Sequence, residues 1–144
     1  MNRLVTYLLF NGNCREVMSF YQRCLGGELS FHTLGETTHG HRFPESMKHL
    51  ILQARLTRDQ MVLLGSDLTG HRLSPGNQIS IMLEYINEEE AEAVFSRLLE
   101  GGRIDTELTV DENGRMAGSL TDKYGNQWLF HQQEQEIINQ KNKP

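Results

Sequence analysis

Residues 5–29, VTYLLFNGNCREVMSFYQRCLGGEL, and residues 80–104, SIMLEYINEEEAEAVFSRLLEGGRI, carry the reading of the fold, because the same succession of events occurs in both after a shift of 75 positions. Leu8 meets Leu83, Phe10 meets Tyr85, Phe20 meets Phe95, Gly26-Gly27 meets Gly101-Gly102, and Leu29 meets Ile104. Each copy opens with a strand-like run of β-branched, aromatic and aliphatic residues, 4–10 and 79–86. Helix-start signals follow. Asn13 precedes Glu16 by three residues and Asn87 precedes Glu90 by three, the capping-box spacing, so helices are expected to begin near 14 and 88. Val17, Phe20, Tyr21 and Cys24, and likewise Ala91, Val94, Phe95, Leu98 and Leu99, fall on one helical face, so each helix buries one stripe against a sheet. Both stop at Gly-Gly, where a left-handed residue without a Cβ ends a helix at no steric cost.

Three more strand candidates follow each helix: 28–34, 50–56 and 60–65 in the first half, 104–110, 115–120 and 127–131 in the second. Turn signals separate them at Thr57-Arg58-Asp59, at 111–114 and at 122–126. The result is β-α-β-β-β twice, an α+β chain with module one at 1–66, a linker at 67–77, module two at 78–131 and a polar tail at 132–144. The longest expected loop is 35–47, GETTHGHRFPESM.

Composition narrows the partners. The 144 residues carry a formal net charge of -5, with Lys and Arg scattered singly apart from a Lys-Asn-Lys tail, so no basic stripe marks a nucleic-acid partner. No apolar run approaches the ~18 residues of a membrane span, and a soluble cytoplasmic protein is expected. Cys14 and Cys24 lie on one helix at a separation of about 15 Å, too far for a disulfide, and are expected to be reduced and buried.

With the repeat in place, FYQRCLGG at 20–27 behind NGNCREVM, LLGSD at 63–67 and TDKYGNQW at 121–128 together resemble the glyoxalase/bleomycin-resistance/dioxygenase superfamily, also called vicinal oxygen chelate, and more narrowly its PhnB-like subgroup. The resemblance spans nearly all the chain outside the tail. It implies two βαβββ modules with curled mixed sheets forming a U-shaped cleft (the glyoxalase/bleomycin-resistance fold), usually within a homodimer. In the metalloenzymes of the superfamily, the first and last strands of each module supply up to four His, Glu or Gln ligands. The corresponding slots here offer Thr6, a residue among Ser80 to Met82, Val62 or Leu63, and Leu129, none of them a His or a carboxylate. Strands 4–10, 60–66 and 78–83 contain no His, Asp or Glu, and in 126–131 only His131 titrates. An ion stripped of water there would gain no replacement ligands, so neither metal nor cofactor is expected.

The same comparison places a His, in many PhnB-like relatives, where Gln53 stands. Alternation puts His49, Ile51, Gln53 and Arg55 on one face of that strand, where Gln53 and Arg55 can hold an anionic or carbonyl-bearing ligand, or can form a half-solvated surface. His39-Gly40-His41 lies in a Gly-rich loop without a third ligand nearby in sequence. Asp67 and Asp122 read as turn residues at strand ends. No P-loop, nucleophile elbow or nucleoside-binding glycine loop is present.

The expected function is therefore binding of a small organic ligand, without a metal, in a cleft lined by Thr6, Gln53, Arg55, Leu63, Leu129 and His131. The alternative is a metal-dependent vicinal-oxygen-chelate enzyme of lyase, isomerase or dioxygenase type, recruiting Gln53, His49 or His131. A third reading is a structural dimer with no ligand.

Overall fold

The computed structural model describes residues 1–133, so most of the expected polar tail lies outside the described residues. The chain divides into two compact units, Met1–Pro75 and Gly76–Pro144. In the first, β1 (Thr6–Leu9) leads into α1 (Cys14–Leu25), followed by β2 (Glu28–Thr33), a short helix α2 (Glu45–Lys48), β3 (Ile51–Arg58) and β4 (Met61–Ser66). The second contains β5 (Ile81–Tyr85), α3 (Glu88–Leu99), β6 (Arg103–Val110), β7 (Met116–Thr121) and β8 (Gln127–Gln132). Each unit forms one four-stranded sheet, of order β1-β4-β3-β2 or β5-β8-β7-β6, in which the first strand runs parallel to the last and the other pairs are antiparallel. The duplicated βαβββ pattern read from the repeat is the observed fold.

One helix covers one face of each sheet. Val17, Met18, Phe20, Tyr21 and Cys24 of α1 are buried over Ala54, Leu56 and Leu63, and α3 buries Ala91, Val94, Phe95 and Leu98 over Leu120, Trp128 and Phe130. The Phe95 and Phe130 rings meet edge to face at 5.1 Å, an arrangement aromatic quadrupoles favour. The helix approaches the first sheet so closely that a Cβ at Gly65 would lie 2.9 Å from the Phe10 ring and 3.3 Å from both Cys14 Sγ and Met18 Sδ.

The Gly-Gly pairs do two jobs. Gly26 and Gly101 take φ of +78° and +73°, positive values that favour glycine, although Gly26, with ψ of -172°, leaves the helix by an extended step rather than a left-handed turn. The following residue meets main chain in both units: a Cβ would come within 2.5 Å of Thr57 O at Gly27 and 2.2 Å of Thr121 O at Gly102. Either position therefore excludes every side chain.

Two local expectations are corrected. Asn87 caps α3 as anticipated, its Oδ1 accepting from Glu90 N at 3.0 Å. Asn13 makes no side-chain cap at α1. The acceptor is instead Asp67, 53 residues away, whose Oδ1 takes the Cys14 N–H at 2.9 Å while its Oδ2 takes the Ile51 N–H at 2.9 Å. Asp67, expected to open the linker, is thus a buried bridge between a helix start and a strand start. Segment 35–47, expected as a loop, contains 3-10 turns at Leu34–Glu36 and Gly40–Arg42 and the start of α2. Gly40 folds against the Gly35 main chain so tightly that a side chain there would overlap it.

Replacing Asp67 by Ala strands two buried N–H groups, each costing about 1–3 kcal/mol, so Asp67→Ala should lower unfolding free energy by roughly 2–4 kcal/mol in urea titrations. Asn13→Ala should change it by less than ~0.5 kcal/mol. A larger loss at Asn13 than at Asp67 would refute the assignment of the cap.

Candidate functional site

A helix on one side leaves the opposite face of each sheet open. In the first unit the register defines that face. Arg55 pairs with Ser30 and Leu64, Gln53 with His32, and Leu64 in turn with Tyr7. Two halves result. β2 and β3 present Ser30, His32, Gln53 and Arg55, while β4 and β1 present Val62, Leu64, Tyr7 and Leu9. Tyr7 and Leu9 on this face are 51% and 45% exposed. Among the described residues, the side chains of Ser30, Gln53 and Arg55 have no hydrogen-bond or ion-pair partner. His32 lies within electrostatic reach of Glu36, whose carboxyl is held below its ordinary range chiefly by hydrogen bonds from Thr33.

Leu63 does not belong to this face. It pairs with Leu56, is only 3% exposed and points under α1, so the open position is taken by its neighbour Leu64. A one-residue error in parity moves a strand side chain to the other face of the sheet. Thr6 pairs with Leu63, which places it on the helix side at the exposed end of an edge strand. Gln53 and Arg55 are together on the open face, as alternation requires. His49 precedes β3 and lies outside the strand, and Ile51, expected beside Gln53, is buried. The pairing shifts there, from His32–Gln53 to Thr33–Ile51, which breaks the alternation.

In the second unit Trp128 and Phe130 are buried, and Leu129 and His131 take the opposite face, where they pair with Met82 and Glu84 of β5 and with Ser119 and Ala117 of β7. Glu84 lies one residue past segment 78–83, and only the register puts it beside His131. The His131 imidazole also lies within electrostatic reach of Asp111, whose carboxyl is held below its ordinary range first by the Arg115 amide at 2.9 Å. A shallow depression near the start of α3, lined by Tyr85, Ala91, Leu108, Met116, Phe130 and His131, has room for little more than a water molecule, far below the size of typical ligand pockets.

The donor set does not fit a chelated ion. β1 and β4 turn Tyr7, Leu9, Val62 and Leu64 to their open face, and β5 and β8 contribute only Glu84 and His131 beside Met82 and Leu129. Among the described residues no three His, Cys, Asp or Glu side chains are grouped to hold a metal. His39 and His41 are exposed, on a loop without a third ligand.

Other reactive groups are committed to structure. Asp122 Oδ1 accepts from Tyr124 N and Asn126 N at 2.9 and 3.0 Å, and Oδ2 from Trp128 Nε1 at 2.9 Å. This locks the β7–β8 turn and satisfies the buried indole. Cys14 is fully buried, and burial, with the Asp67 charge adding to it, pushes its thiol from 9.0 up to about 12. A thiol so protected is not a nucleophile near neutrality.

Residues 3–130 match the family model described as the Glyoxalase/Bleomycin resistance protein/Dioxygenase superfamily. Protein YjdN of Escherichia coli (strain K12) is 26% identical, over 89% of this chain and 93% of its own. The crystal structure of protein PA1353 from Pseudomonas aeruginosa superposes with a TM-score of 0.79 at 32% identity, over 92% of this chain and 98% of that one. The PhnB protein from Bacillus cereus shares the fold at a TM-score of 0.69 and 23% identity, over 92% and 100% of the two chains. No helix among the described residues is long and apolar enough to cross a membrane.

The Cys14 geometry has a measurable consequence. The unfolded thiol ionises near 9.0 and the folded one near 12, so its contribution to stability is complete below 9.0 and is lost as pH rises toward 12. Native protein should resist alkylation at Cys14 at mildly alkaline pH, and urea-unfolded protein should react at the rate of a free thiol. Equal rates in the two states would contradict the burial described above.

Proposed function

The chain belongs to the Glyoxalase/Bleomycin resistance protein/Dioxygenase superfamily, and from that footing we propose that it binds a small organic ligand without a metal, using the open face of the first sheet. One observation carries the reading: unpartnered Arg55 and Gln53 lie directly beside the apolar strip of Leu64, Tyr7 and Leu9. Such a surface suits an amphiphilic molecule. The Arg55 guanidinium and Gln53 amide engage a carboxylate or carbonyl, the guanidinium in a two-pronged geometry, while the aliphatic and aromatic strip covers the hydrocarbon body. The family description includes bleomycin resistance proteins, which supports a small-molecule role. On this reading Leu129 and His131 line a second, less polar surface of the same kind, and the protein works as a homodimer.

A metal-dependent enzyme is the second reading, and the adjacency of Glu84 and His131 is the observation in its favour. Elemental analysis of untagged protein separates the two. The ligand-binding reading expects no stoichiometric transition metal, and one ion per chain would overturn it.

Calorimetry with a panel of small aromatic carboxylates and their neutral amides or esters tests the face itself. Loss of a charge-assisted hydrogen bond of about 1.5–3 kcal/mol predicts that Arg55→Ala weakens the carboxylates roughly 10- to 100-fold and spares neutral analogues. Unchanged carboxylate binding in both Arg55→Ala and Gln53→Ala would move the site elsewhere.

A further inference from the structure

Asn11-Gly12 and Asn113-Gly114 are the two Asn-Gly pairs of the chain, and the fold treats them differently. In this dipeptide the glycine nitrogen can attack the asparagine Cγ, because no side chain shields it. A C–N bond forms, ammonia leaves, and a succinimide results; water then opens either ring carbonyl, giving aspartate or isoaspartate. No oxidant or reductant is involved. The attack needs a glycine N–H that is not held in a hydrogen bond and a main chain free to bring nitrogen and Cγ together.

At 113–114 neither condition is met. Gly114 N donates to Asp111 O at 3.0 Å, and Asn113 N donates to Asp111 Oδ1 at 2.8 Å, so the turn restrains both residues. At 11–12 no hydrogen bond among the described residues holds either residue of the pair. Asn11 and Gly12 are exposed, as are Asn113 and Gly114, and what differs is that the Gly12 nitrogen has no hydrogen-bond partner among the described residues. Both glycines sit at positive φ, +89° at Gly12 and +77° at Gly114, so the protecting hydrogen bond is the difference between the two pairs.

We infer that Asn11-Gly12 is the site at which the folded protein spontaneously forms isoaspartate, and that this modification loosens the first unit. The segment is clamped at both ends to consecutive residues of one strand terminus: Phe10 N donates to Ser66 O at 2.9 Å and Cys14 N to Asp67 Oδ1 at 2.9 Å. Isoaspartate lengthens the main chain by one methylene between these clamps. It also places a new carboxylate in the connection that leads to the Asp67 carboxylate. Both changes strain the bond that caps α1.

The test is incubation of the full chain at mildly alkaline pH, followed by proteolysis and mass spectrometry of the two Asn-Gly peptides, in buffer and in urea. In the native protein Asn11 should convert at least about fivefold faster than Asn113, the factor expected for opening one protecting hydrogen bond, and urea should bring the two rates together. A native ratio near one or below it would overturn the inference. So would an unchanged ratio in urea, which would assign the difference to flanking sequence. The stability claim is read separately: wild-type protein should lose melting temperature as modification accumulates, while Asn11→Gln should hold its value over the same period. Equal losses in the two would refute it.

Discussion

A single buried carboxylate sets the frame of the first unit. Asp67, at the end of β4, accepts one N–H from the first residue of α1 and another from the first residue of β3. Three elements far apart in sequence thus share one charged group, and the Asp67 N–H returns a bond to Ile51 O. Charge-assisted bonds to main-chain N–H groups are stronger than neutral ones, and a negative charge at a helix start interacts favourably with the helix dipole. The arrangement fixes where α1 begins relative to the sheet. It thereby determines that Leu63 and Gly65 lie under the helix, leaving Val62 and Leu64 for the open face.

The second unit reaches the same topology by a more local route. Asn87 caps α3 from the adjacent position, and the end of β8 is tied to β5 by a main-chain bond from Gln133 N to Tyr85 O. Its buried carboxylate, Asp122, has moved to the β7–β8 turn, where it holds the turn and the Trp128 indole together. A polar group buried in either unit is used to close a connection, and in each case every carboxylate oxygen has an N–H donor, which is what makes its burial tolerable. Two of the three motifs that carry the family resemblance, LLGSD and TDKYGNQW, are in physical terms these two closures. Their aspartates are accounted for by architecture before any chemistry is invoked.

This explains what was legible in the sequence. Helix limits, the succession of elements along the chain and the Gly-Gly stops follow from local periodicity and turn chemistry, and the repeat makes each half evidence for the other. The Asp67 cap was not legible, because its partners are 53 and 16 residues away and Asn13 occupied the position where a local cap is sought. The face of Leu63 was misread because parity in a strand depends on a register that nothing local specifies. Glu84 is not marked by sequence for a related reason: its interest comes wholly from pairing with His131, a parallel contact between strands separated by a helix and two further strands.

The same register arguments decide the chemistry the open faces can support. A chelate requires several donors whose side chains point to one side at neighbouring positions on adjacent strands, and the paired first and last strands are where such donors would have to stand. In the first unit those strands show aliphatic and aromatic side chains apart from the buried Ser66, whose hydroxyl is bonded to main chain, and the free polar groups lie one and two strands away, on β3 and β2. An amide and a guanidinium at that distance from the edge strand suit the polar end of an organic molecule lying across the sheet, with its apolar end over Leu64 and Tyr7. With the polar groups off the first and last strands, the proposed site is an oriented surface with one polar end and one apolar end rather than a point of coordination.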